Sequence, residues 1–195
     1  MIGLDLDGVL WRGSEPIDGS ADAVDSLRAG GFTVAFLTNN ANPTLEAYVD
    51  KLAGMGVAAE PGDFVTSAQA AARVLERQIP ANSRVLVCGG PGLVEAVSRR
   101  GFDVVVESPA EAVVVGYDPS FDYGSLDRAS EAVRSGAHFV AANIDPTFPS
   151  GDRLLPGNGA LVAAVATAGV RSPRWPESPR LPTPIWSASA SAAVA

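Results

Sequence analysis

Cysteine is nearly absent from these 195 residues: Cys88 stands alone, so no internal disulfide can form, and a reducing cytoplasm is the expected compartment. Lysine is as scarce. Lys51 is the only one among 14 basic residues, the other thirteen being arginine, and no run of them makes a basic face. With a net charge of −8 the chain lacks a nucleic-acid footprint and is expected to handle small molecules. No basic segment followed by an apolar stretch opens the chain, and its longest Ala/Val-rich run, 159–170, is too short to span a bilayer. There is one histidine, His138, at the start of a strand pattern.

What is present is a globular composition, 47% apolar and 18% charged. Apolar strand runs alternate with helical patterns, which is the mark of an α/β fold with a largely parallel sheet. "MIGLDLDGVL" is the first strand, a helix follows over 21–29, and "FTVAFLTNN" reads as a strand buried on both faces. The next helix should hold Pro43 in its first turn and a third should run through "SAQAAARVLERQ". After "IPANS" the pattern resets. "RVLVCGG", "FDVVVES", "EAVVVGY" and "HFVAAN" then predict a second sheet in a domain of about 75 residues.

Two clusters carry chemistry. Asp5 and Asp7 stand two apart at the end of the first strand; if the strand persists through them, alternation aims both carboxylates to one side at the carboxyl edge, where open α/β sheets bind ligands. An isolated Asp-Gly turn is the plainer reading of the same residues. Thr38, Asn39 and Asn40 end the second buried strand and offer hydroxyl, amide and backbone N–H groups suited to a phosphoryl oxygen. They could instead cap the helix that follows. "CGGPGLVEA" does not keep the glycine spacing of a dinucleotide fingerprint.

Taken in order, "DLDGVLWRG", "FLTNNA", "VTSAQAAARVL", "VLVCGGPGL", "AVVVGYD", "ANIDPTFP" and "LLPGNGALVAAV" resemble the haloacid dehalogenase superfamily. The resemblance is to its subfamily IIA phosphatases, of the p-nitrophenyl phosphatase, phosphoglycolate phosphatase and glycerol-3-phosphate phosphatase types, and it covers residues 1–170. It implies a Rossmann-like core, 1–81, an inserted α/β cap, 82–156, and a return to the core over 157–170. Asp5 would be the nucleophile that forms an aspartyl-phosphate, and Asp7 the acid and then the base. Mg²⁺ would bind the Asp5 carboxylate and the Asp7 carbonyl, while Thr38 and Asn39 hold the phosphoryl group beside the Gly8 backbone. Asp145, Thr147 and Phe148 lie in the matching substrate loop, although Asp145-Pro146 is also an ordinary turn opener. The substrate would be a small phosphorylated metabolite, glycerol 3-phosphate or 2-phosphoglycolate, and the cap could support a homodimer.

The family's later motifs, a Gly-Lys-Pro lysine and a Gly-Asp segment with further aspartates, have no counterpart, since no lysine follows Lys51 and the only acid beyond Asp152 is Glu177. The implied core is therefore incomplete. The chain is expected to be inactive, of poor stability and prone to aggregate, or else to survive as a non-catalytic phosphate- or partner-binding remnant. Residues 171–195 hold five prolines, five serines and five alanines and predict a disordered tail. Read from the last base of the Arg174 codon, the codons of Arg174 to Pro179 permit Val-Ala-Gly-Lys-Pro. A frameshift near codons 165–174 is the expectation that follows.

Overall fold

The computed structural model describes residues 1–150 and 152–170. The proposed out-of-frame tail lies outside them. The chain runs β1 (Ile2–Asp5), β2 (Trp11–Arg12), β3 (Glu15–Pro16), α1 (Ser20–Ala29), β4 (Val34–Thr38), α2 (Leu45–Gly54), β5 (Phe64–Thr66) and α3 (Ser67–Gln78). It continues through β6 (Arg84–Cys88), α4 (Pro91–Arg99), β7 (Asp103–Val105), β8 (Ala112–Val115), α5 (Tyr123–Arg134) and β9 (His138–Ala141). A ribbon of β10 (Thr147–Ser150) and β11 (Arg153–Pro156) leads into α6 (Asn158–Ala168). The α/β class with parallel sheets is as the alternation predicts.

Two separate parallel sheets carry the fold. The first has the order β1-β4-β5, with Ile2 opposite Val34 and Phe36 opposite Phe64. Leu6, Val24, Phe36, Tyr48, Leu52 and Phe64 form the core under α1 and α2. Strand β4 was expected to be buried on both faces. Instead Val34, Phe36 and Thr38 are buried while Ala35 and Leu37 are only half so, because both helices cover the same side. Pro43 precedes α2 rather than entering it; Thr44 is the N-cap, its hydroxyl accepting from the Ala47 N–H.

The second sheet has the order β7-β6-β8-β9 and is covered on both faces. Strand β8, Ala112–Val115, is fully buried, as a central parallel strand must be. Helices α3 and α4 pack on one face through Ala71, Leu75, Leu93 and Val97, and α5 and α6 on the other through Ala129, Ala132, Val162 and Val165. Residues 157–170 were expected to return to the first unit, yet α6 packs on the second sheet. Its residues are small and apolar on every side, so it lies against the flat Val113/Val115 surface, where larger side chains would not pack as closely. His138 opens edge strand β9 and is exposed, and Cys88 is buried at the end of β6 with its thiol pushed up to about 11 by burial. Among the described residues no helix is long and apolar enough to cross a membrane.

The two units are joined closely around residues 39–43. The Gly92 N–H donates to the Asn42 carbonyl at 2.7 Å, and a methyl group on Gly92 would overlap the Pro43 carbonyl. Gly92→Ala should therefore cost about 1–3 kcal/mol, the range of overpacking. Chemical denaturation of the two proteins checks it.

Candidate active site

The carboxyl edge of the first sheet gathers most of the predicted residues. Asp5 is the last residue of β1 and pairs in register with Leu37, which puts Thr38, the end of β4, beside the turn that follows Asp5. That turn is a tight coil. The Leu6 carbonyl accepts from the N–H groups of Val9 and Leu10 at 3.3 and 2.9 Å, and Gly8 takes the left-handed φ of +85° that the coil requires. Hence Asp7 stands at the rim, solvent-exposed like Asp5.

Each carboxylate has a distinct partner. Asp5 Oδ1 accepts from the Leu6 N–H at 2.9 Å, and Asp7 Oδ1 accepts from the Trp11 indole at 2.7 Å. Partial burial raises Asp5 above the ordinary carboxylate value; the Leu6 N–H opposes this and the nearby Asp7 charge adds to it. Thr38 is buried, its Oγ1 accepting from the Asn40 N–H at 3.1 Å. Asn39 is exposed and its side-chain amide donates to Asp145 Oδ2, which carries the predicted substrate loop to the strand end.

Not every candidate is free to act on a ligand. The Gly8 N–H is already donated to the Trp11 carbonyl at 2.7 Å. Asn40 is spent on its own turn: its Oδ1 accepts from the Asn42 N–H at 3.0 Å and its carbonyl from the Tyr48 hydroxyl at 3.0 Å. Thr147 begins the β10–β11 ribbon opposite Pro156, and Phe148 meets Tyr117 edge-on, ring centres 5.0 Å apart. Sequence reasoning missed Trp11, Ser67, Asn143 and Asn158. Ser67 Oγ and Asn143 Nδ2 both donate to the Asn39 carbonyl, at 2.6 and 2.8 Å, while Asn158 Nδ2 donates to the carbonyls of Asn143 and Val115 at 2.7 and 3.1 Å. The only signal for these was their place within the quoted motifs.

An acid pair at the end of β1, a hydroxyl and an amide at the end of β4 and a loop brought in from a second sheet are features other proteins share. The profile of the haloacid dehalogenase-like hydrolases matches residues 2–103. The chain belongs to that family. Among haloacid dehalogenase-like relatives, acid sugar phosphatases of Staphylococcus epidermidis and Staphylococcus aureus are each 36% identical, over 165 and 172 residues, or 85% and 88% of this chain. The chain spans 63% and 66% of those relatives' lengths. Among solved structures, glycerol phosphate phosphatase from Mycobacterium tuberculosis in complex with magnesium superposes with a TM-score of 0.79 at 38% identity, covering 85% of this chain and 50% of that one. A thermostable p-nitrophenyl phosphatase double mutant from Geobacillus stearothermophilus gives 0.78 at 32%, covering 86% and 65%.

The raised Asp5 has a stability consequence. Because its folded pKa lies above the unfolded value, ionising it destabilises the folded chain at neutral pH; that cost fades as pH falls through the folded pKa and is gone below the unfolded one. Asp5→Asn, whose amide oxygen can still accept from Leu6, should raise the melting temperature at pH 7, with the gain shrinking toward pH 3. Thermal unfolding across that range measures it.

Proposed function

We propose that this chain carries the nucleophile half of a phosphomonoester hydrolase site for a small phosphorylated metabolite. The observation that carries the reading is the pair Asp5 and Asp7 at the end of β1, next to Thr38 and Asn39 at the end of β4. Asp5 Oδ1 is occupied by the Leu6 N–H, so Oδ2 is the oxygen to attack phosphorus. In a completed site the new bond would run from that oxygen to phosphorus, the ester P–O bond would break, and Asp7 would give its proton to the departing alkoxide and then take one from the water that hydrolyses the aspartyl-phosphate. The Thr38 hydroxyl and the Asn39 amide hold the phosphoryl oxygens, the latter leaving Asp145 to do so.

The relatives' names, acid sugar phosphatase and glycerol phosphate phosphatase, support a polyhydroxylated ester as the substrate class. A magnesium site fits less well. The Asp5 carboxylate and Asp7 carbonyl are hard oxygen donors, but no group of three acidic, histidine or cysteine side chains converges among the described residues. These residues do not make a full cation site, and the one lysine, Lys51, is engaged over the Trp11 ring and with the Gly13 carbonyl. Binding without turnover is the behaviour expected of this chain.

Sign separates this site from a generic anion site. Asp5 repels a phosphate dianion, so Asp5→Asn should bind inorganic phosphate about tenfold more tightly, whereas Thr38→Val should weaken binding by a similar factor. Hydrolysis of p-nitrophenyl phosphate should stay at the buffer rate. Titration calorimetry and a colorimetric assay test both. Hydrolysis that Asp5→Asn abolishes would overturn the inactivity, and phosphate binding indifferent to both substitutions would overturn the site.

A further inference from the structure

Trp11 is the largest fully buried side chain among the described residues, 1% exposed, and its side-chain hydrogen bond goes to the site. Its indole Nε1–H donates to Asp7 Oδ1 at 2.7 Å, a charge-assisted bond spanning four residues, and no hydrogen bond to Asp7 Oδ2 is made among the described residues. The backbone fixes the same geometry twice more. Asp7 and Trp11 form an isolated β-bridge, and the Gly8 N–H donates to the Trp11 carbonyl at 2.7 Å.

Two residues of α2 hold the ring. The ammonium of Lys51, the chain's only lysine, lies 3.8 Å from the ring centre and also donates to the Gly13 carbonyl at 2.9 Å. Tyr48 stacks at 6.5 Å with planes 16° apart, and its hydroxyl donates to the Asn40 carbonyl in the turn after Thr38. A cation over an indole face draws π density toward itself, which leaves the ring N–H a stronger donor.

We propose that Trp11 is the positioning residue of Asp7: its N–H holds Oδ1 so that Oδ2 is the oxygen presented for proton transfer, with Lys51 locking the ring. This rests on the reading of Asp7 as the proton-transfer group. A buried indole needs an acceptor in any case. What distinguishes positioning from mere satisfaction is that events at the phosphoryl position should reach the indole through Asp7.

The test is ¹H–¹⁵N spectroscopy of the full chain, titrated with inorganic phosphate. The Trp11 indole signal, assigned by its loss in Trp11→Phe, should shift on phosphate addition together with the Thr38 and Asn39 amides. Asp7→Ala, at an exposed position, should move that signal upfield, lower its exchange protection by about tenfold or more and abolish its phosphate response. Asp7→Asn, which keeps an acceptor oxygen, should restore part of it. An indole signal that ignores Asp7→Ala overturns the proposal, as does one that stays still while the Thr38 and Asn39 amides shift. Amides that do not respond either would mean that the phosphate site itself is wrong, and the proposal falls with it.

Discussion

The backbone carbonyl of Asn39 is the point on which the two halves of the molecule agree. It accepts from Ser67 Oγ, at the start of α3, and from Asn143 Nδ2, just past β9. Asn143 is held in turn by the buried Asn158 at the start of α6. A strand end that would otherwise be a free loop is thereby fixed by three other elements. Close approach makes it possible: a methyl on Gly157 would overlap the Asp145 carbonyl, and one on Gly159 the Ile144 carbonyl. Because these bonds are partly or fully buried, losing one partner leaves the other unsatisfied, which costs more than the bond itself contributes.

The same economy governs the acid pair. Two carboxylates at one sheet edge repel each other, and Asp5 is raised first by partial burial and further by this repulsion. They are tolerated because both remain in contact with water and each has a donor of its own, a backbone N–H for Asp5 and an indole for Asp7. Arrangements that spend stability in this way mark sites of chemistry more often than sites of packing. The site is built on strand ends and a tight coil, so its geometry does not depend on long flexible side chains.

Much of this was legible in the sequence. The alternation of strands and helices marked the class, and Asp5 and Thr38 end their strands because a short apolar run followed by polar residues marks the carboxyl edge; Asp7 and Asn39 lie just beyond, Asp7 in a coil rather than on an extended strand, so strand alternation does not set its direction. The destination of α6 was not legible, since "NGALVAAVATA" is apolar on all sides and has no stripe to name its partner. Nor were the bonds that engage Gly8 and Asn40, because a backbone N–H or a turn amide looks the same in sequence whether free or taken. Nor was the part of Trp11, since only its orientation in the fold shows the N–H aimed at Asp7.

A crystal of this chain grown with orthovanadate tests the central claim most directly. The account predicts the oxyanion at the end of β1, within hydrogen-bonding distance of Thr38 Oγ1 and the Asn39 amide and facing Asp5 Oδ2. An anion bound instead in the groove lined by Pro43, Gln69, Glu95 and Arg99, or none at all beside Asp5, would contradict it.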